Sequence, residues 1–229
     1  MAELTSLLHS LGASLVGYAD LTGLPSEQRQ GLARGVSIAV AIDPAIVASI
    51  VRGPTREYFE EYERANALLD RLSEAGAGCL CRRGYSAIAL RATVGGLDVG
   101  TLSTPLPHKT VATRAGLGWV GRTALLVTKR YGSAVRLTTV LTDAPLDVGE
   151  PVDECQCGQC GLCVRACPAG AATGATWAAG MPRGEIVDAS ACCAKAGELS
   201  NRAGIAATIC GICISVCPWT RRYIDESGA

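Results

Sequence analysis

The sequence predicts an α+β fold in two parts: an N-terminal α/β region over residues 1–150, a mixed sheet with flanking helices, and a cysteine-rich region over residues 151–229. Two observations carry this. Helix-like and strand-like segments alternate through the first 150 residues, and ten of the twelve cysteines fall between Cys155 and Cys217. At 229 residues and 48% hydrophobic content, the chain is long enough for two modest domains with real cores.

Residues 4–11 have the apolar spacing of a short helix, and residues 36–42 form an apolar run of strand length. Residues 56–75 are charged, with apolar positions at helical intervals, and predict a long amphipathic helix. Residues 85–92, bounded by Gly84 and Gly95-Gly96, read as a strand, as do residues 123–128 and 135–142, which are rich in β-branched side chains. Between these strands, residues 108–114 look helical. Prolines and acids in residues 143–153 break the pattern and mark a connector.

Charge narrows the function. Lys plus Arg (21) balance Asp plus Glu (21) and no basic run appears, so neither a nucleic-acid partner nor a membrane partner is expected. The start Met1-Ala2-Glu3-Leu4 does not read as a leader, and no eighteen-residue apolar stretch occurs, so the expected location is cytoplasmic. Twelve cysteines in a reducing compartment point to metal binding or redox chemistry rather than disulfides.

Their spacing says which. Cys157, Cys160, Cys163 and Cys167-Pro168 reproduce the C-x2-C-x2-C-x3-C-P run of bacterial ferredoxins. In that run three thiolates from one loop grip one 4Fe-4S cluster and the fourth ligates another, so a second site is implied. Cys210, Cys213 and Cys217-Pro218 match the last three cysteines of the same pattern, while Ala207 stands in the place of the first. The missing ligand is expected from Cys192, with Cys193 as the alternative. One cluster is thus expected on Cys157, Cys160, Cys163 and Cys217, and the other on Cys167, Cys192, Cys210 and Cys213. Structural zinc is disfavoured, because it pairs C-x2-4-C knuckles and has no use for three cysteines at x2-x2 spacing. Cys155, Cys79 and Cys81 read as ordinary thiols, the latter two packing in a β-like segment.

Gly116-Leu-Gly118-Trp-Val-Gly121 matches G-x-G-x-x-G, but a helix precedes it and a strand follows, the reverse of a dinucleotide site. Three glycines around Trp119 instead suggest a backbone that comes close to a large planar ligand or to another chain segment. His108, just ahead of the loop, is a candidate proton donor or cofactor contact, against the plainer reading of a capping or solvent-facing imidazole. His9 reads as a surface residue of the first helix.

The run from His108 through Gly116-Leu-Gly-Trp-Val-Gly-Arg122, then Leu141-Thr-Asp-Ala-Pro145 and the double-cluster region ending Cys217-Pro-Trp219, resembles the epoxyqueuosine reductase family and, with it, the related reductive dehalogenases. The resemblance implies a corrinoid, cobalamin, held against Gly116, Gly118, Trp119, Gly121 and Arg122, beside which His108, by its position ahead of the loop, is the candidate catalytic residue. It also favours Cys192 over Cys193, because Asp188-Ala-Ser-Ala-Cys192 is similar to the family's run before its second cluster. Two departures argue against activity on tRNA. The acidic residue ahead of the family's glycine loop has no counterpart in Leu102-Ser-Thr-Pro105, and the chain ends twelve residues after Cys217 instead of entering a helical-repeat region. The expectation is an iron–sulfur oxidoreductase passing single electrons to a corrinoid. Its donor would be a ferredoxin or flavodoxin, and its acceptor a corrinoid protein or a small molecule. The alternative is a ferredoxin-type electron-transfer subunit that docks a partner enzyme without an organic cofactor.

Overall fold

The structure is a computed structural model that describes residues 2–93 and 102–228, so the expected glycine boundary at Gly95-Gly96 lies outside the described residues. The chain divides into two compact units, each drawn from several stretches of sequence.

The first unit comprises residues 1–41, 64–118 and 136–152. It holds α1 (Ala2–Ser10), β1 (Leu15–Asp20), β2 (Arg34–Ala41), most of α3 (Arg56–Arg82), β3 (Ala87–Ala89), α4 (His108–Arg114) and nearly all of β6 (Val135–Thr142). The four strands form one sheet in the order β1-β2-β6-β3. β1 pairs antiparallel with β2, Leu15 opposite Ala39, and β3 antiparallel with β6, Ala87 opposite Thr142. β2 is buried along six consecutive residues, which explains its apolar run without period-2 alternation. On α3, Ala65, Leu69, Leu72 and Leu80 are buried at i, i+4, i+7 and i+15, one face of a 3.6-residue helix.

Several boundaries differ from the sequence reading. The strands expected over 85–92 and 123–128 are reduced to Ala87–Ala89 and to β5 (Leu126–Val127). α3 runs seven residues beyond residue 75, because burial of Leu80 and Cys79 outweighs the helix-weakening Gly76 and Gly78. Cys79 and Cys81 are therefore helical, not β-like. β1 gave no sequence signal. Its Gly17 interrupts the apolar pattern, and the gap is structural: a Cβ there would stand 2.8 Å from Leu117 Cδ2 and 3.1 Å from the Ala115 carbonyl oxygen.

α4 ends in a Schellman motif. Leu117 N–H donates to the Ala112 carbonyl at 3.0 Å and Gly116 N–H to that of Thr113 at 3.2 Å, with Gly116 left-handed at φ +73°. The first glycine of the G-x-G-x-x-G match is thus a helix stop. The connector after β6 is fastened within this unit, with Gly149 N–H donating to the Tyr18 carbonyl at 2.8 Å and Val152 N–H to that of Thr113 at 2.9 Å.

The second unit comprises residues 42–63, 119–135 and 153–229. It holds α2 (Pro44–Ser49), a 3-10 turn (Ile50–Arg52), the first eight residues of α3, the β4 (Trp119–Val120) and β5 hairpin, α5 (Leu162–Arg165), α6 (Arg183–Ile186), α7 (Ala189–Arg202), α8 (Ile212–Ser215) and α9 (Pro218–Glu226). Asp43 caps α2, accepting from Ala45 N–H at 2.9 Å, and Asp188 caps α7, accepting from Ala191 N–H at 2.9 Å. In space, then, the grouping does not follow a cut at residue 150. Residues 42–63 and 119–135 belong to the same compact unit as the cysteine-rich segment. Two close approaches show it. Gly211 lies under Ile50 and Tyr58, where a Cβ would stand 2.4 Å from Ile50 Cδ1, and Tyr131 packs edge-on against Tyr223 with ring centroids 5.1 Å apart.

Candidate metal centre

The two cysteine runs fold alike. Each sets its middle cysteine on a four-residue helix, Cys163 on α5 and Cys213 on α8, and carries its last cysteine just past that helix, Cys167 and Cys217. Gly211 begins α8 in the left-handed region at φ +87°. Cys217 in turn starts α9, whose first residue is Pro218, fixed at the φ a helix start needs.

The thiols fall into two electrostatic neighbourhoods. Cys163 is pushed up to about 11, first by burial and then by Cys217, Cys157 and Cys160. Cys213 is pushed up to about 12, first by burial and then by Cys210 and Cys192, with smaller effects of Cys163 and Cys167. Burial also raises Cys192, which next feels Cys167 and Cys210, and burial raises Cys210, which feels Cys167. Cys157, Cys160, Cys163 and Cys217 thus stand together, as do Cys167, Cys192, Cys210 and Cys213. Cys193 is a neighbour of Cys192.

Crowded, half-buried thiols resist ionisation because each thiolate would repel the next, and the positive charge of bound irons would displace their protons and hold them as thiolates. Among the described residues no three His, Cys, Asp or Glu side chains converge to hold a single metal ion. A cubane makes a different demand, one thiolate on each of four irons, so its ligand sulfurs stand farther apart than those of one zinc.

Cys157 differs from the rest. Its proton affinity is lowered, chiefly because Cys155 donates its S–H to it, and further by Trp119 and by the Arg122 backbone N–H. The same bond to Cys157 pushes Cys155 up. Trp119 Nε1 donates to Cys157 Sγ at 3.3 Å, and the indole is 1% exposed. Arg122 donates from Nη2 to the Gly158 carbonyl at 2.8 Å and from Nη1 to that of Gly174, clamping the cysteine loop. Arg122 Nε is buried without a partner among the described residues. An unpaired buried N–H costs about 1–3 kcal/mol, and an acceptor beside Cys157, such as a cluster sulfide, would relieve it.

The residues expected to hold a corrinoid are engaged with protein. Trp119 and Arg122 serve the Cys157 loop, and a Cβ on Gly121 would stand 2.8 Å from Val127 Cγ2 and 3.6 Å from Cys157 Sγ. A Cβ on Gly116 would stand 2.7 Å from the Glu150 carbonyl oxygen, and Gly118 is buried. The close backbone approach that the glycines suggested is thus met, at Gly116 and Gly121, by other chain segments. His108 starts α4 with both ring nitrogens bonded, Nδ1 to Thr139 Oγ1 and Nε2 to the Arg91 carbonyl, each at 2.9 Å. Burial lowers its proton affinity. Reading the residues one by one missed Cys155 and Thr220 as neighbours of cluster cysteines; the only trace in the sequence is their position, two before Cys157 and three after Cys217.

Residues 156–220 match the family described as a 4Fe-4S double cluster binding domain. The epoxyqueuosine reductase of a Synechocystis species is 34% identical over 134 residues, covering 54% of this chain and 43% of that protein. That of Escherichia coli K12 is 29% identical over 216 residues, covering 88% of this chain and 52% of that protein. The chain therefore spans about half the length of these curated relatives. A catabolic reductive dehalogenase has the same fold at a TM-score of 0.70 and 20% identity, covering 98% of this chain and 33% of that one. The epoxyqueuosine reductase of Bacillus subtilis does so at 0.64 and 19% identity, covering 96% and 65%. Residues 156–220 are thus a 4Fe-4S double cluster binding domain, in a chain related by sequence to the epoxyqueuosine reductases and by fold also to a reductive dehalogenase.

Proposed function

We propose that this chain is the electron-transferring core of an iron–sulfur reductase, with one 4Fe-4S cluster on Cys157, Cys160, Cys163 and Cys217 and another on Cys167, Cys192, Cys210 and Cys213. The observation that carries the reading is the division of the thiols into these same two sets, with Cys192 rather than Cys193 among the neighbours of Cys210 and Cys213. When bound, such clusters exchange single electrons at low potential. The chain's part is to hold eight thiols in two pockets, to close them with α5, α8 and the Arg122 clamp, and to exclude water with the Trp119 and Trp219 rings, whose centroids are 5.2 Å apart. A low-potential ferredoxin or flavodoxin suits it as donor.

The test is selective loss of one cluster. Cys192→Ser and Cys213→Ser should each leave about half the iron of the wild type, while Cys193→Ser keeps all of it. Full iron in Cys192→Ser with loss in Cys193→Ser would exchange their roles. For the acceptor, a solved dehalogenase relative is described as working by B12-dependent dehalogenation, which makes a corrinoid the first candidate. Hydroxocobalamin that co-elutes with the reduced protein and is reduced by it would support that reading. No co-elution would favour a partner enzyme, with the chain as a ferredoxin-type subunit. An epoxyqueuosine reductase has also been solved with an epoxyqueuosine-modified tRNA stem loop. The even charge of this chain favours a different acceptor.

A further inference from the structure

The first half of α9 carries a surface that neither cysteine set uses. Exposed Lys129 and Arg130, just after β5, stand beside exposed Arg221 and Arg222 of α9: Arg222 Nη2 donates to the Lys129 carbonyl, and Arg130 lies over the Tyr131 ring, itself packed on Tyr223. Lys129, Arg130 and Arg221 have no ion-pair partner among the described residues. The Arg222 guanidinium covers the half-buried Trp219 ring, 4.6 Å from its centroid. Trp219 in turn meets Trp119 edge-on at 5.2 Å, and Trp119 Nε1 donates to Cys157 Sγ at 3.3 Å. Packed rings thus lead from an exposed guanidinium to Cys157, with Cys217 at the start of the same helix.

Electron tunnelling falls steeply with distance and passes better through packed atoms than through gaps, so a carrier gains by sitting over Trp219. Charge says which carrier. The acids of the region lie farther along the helix. Asp225 is six residues, about 9 Å, beyond Trp219, Glu226 follows it and answers Arg222 at 3.7 Å, and Asp43 is next to Ile42, whose carbonyl accepts the Tyr223 hydroxyl. The Trp219 end is therefore positive, and Trp and Arg are the residues that most often anchor protein interfaces. We propose that Trp219, together with Lys129, Arg130, Arg221 and Arg222, is the docking surface for an acidic one-electron carrier protein. The reduced carrier gives up one electron, the site at Cys157 and Cys217 takes it up, and no bond is made or broken. This deepens the electron-transferring reading proposed above and rests on it.

Calorimetric titration of the anaerobic full-length protein with a ferredoxin of strongly negative net charge tests it, with iron counted in every sample. Wild-type affinity should fall as salt rises. Lys129→Glu combined with Arg221→Glu should weaken binding about tenfold at about 0.1 M salt, because two attractions become repulsions. Arg71→Glu combined with Arg82→Glu, which changes the net charge equally at exposed positions of α3, should leave the affinity within about twofold. Both double variants should keep the wild-type iron, since all four side chains are exposed. Affinity that is equal in the two double variants, insensitive to salt, or undetectable in a wild type with full iron overturns the docking surface and leaves the clusters standing. Binding that depends on Lys129 and Arg221 in a chain with half the expected iron keeps the surface and overturns the cluster assignment.

Discussion

Replacing Gly132 by Ala should damage the second unit far more than a surface glycine substitution. Gly132 has φ +55°, where a Cβ costs about 1–2 kcal/mol. That Cβ would stand 2.3 Å from Thr220 N, 2.4 Å from Thr220 Oγ1 and 2.7 Å from Thr220 Cα, so the start of α9 must move rather than a flexible side-chain tip. Overpacking of this kind costs about 1–3 kcal/mol. Loss of the Ser133 N–H bond to Thr220 Oγ1 adds about 1 kcal/mol. Together these come to about 3–6 kcal/mol, which lowers the melting temperature of a chain this size by roughly 6 °C or more. Gly204→Ala isolates the clash, because Gly204 also has positive φ, +69°, with nothing within 4 Å of its added Cβ. Thermal melts of the anaerobic protein, followed by circular dichroism, should rank the two variants far apart. Equal melting temperatures would refute the packing argument. Since Thr220 stands beside Cys217 at the start of α9, Gly132→Ala should in addition lose iron sooner on dilution into chelator than Gly204→Ala does.

Leu69→Ala, at a fully buried position of α3, should destabilise the first unit by about 2–5 kcal/mol, measured by urea unfolding. His108 is held neutral, its proton affinity lowered first by burial. The unfolded chain therefore takes up that proton before the folded one, and the stability contributed is present above about 6.5, the ordinary histidine value, and is lost as pH falls below it. Unfolding free energies measured from pH 7 to 5 should show a decline that is shallower in His108→Gln, and identical slopes would contradict the buried imidazole. Binding of an epoxyqueuosine-bearing tRNA stem loop, followed by fluorescence anisotropy, should be weak at physiological salt. A tight, steeply salt-dependent complex would overturn the expectation drawn from even charge.

What could be read from the sequence was local. The cysteine runs are legible because cluster ligation imposes fixed spacings within ten residues, and α4 and β6 begin and end at the residues their patterns mark. β1 was not legible because Gly17 is there for α4, not for the strand. The far end of α3 was hidden by Gly76 and Gly78, whose cost is offset by burial of Leu80. The glycine loop was half legible. Its three glycines announce a close approach, but the partners, the Glu150 carbonyl and Val127, come from other segments of the chain. The indole of Trp119 meets Cys157 across 38 residues, a distance over which no local pattern operates. The sharing of residues 42–63 and 119–135 with the cysteine-rich segment was invisible for the same reason.

Two cubanes in one chain are measured most directly as iron and acid-labile sulfide in the anaerobically purified protein. About eight of each per chain are expected, since two 4Fe-4S clusters contribute four of both. A protein that saturates at four irons, or that carries tightly bound zinc in their place, would contradict it.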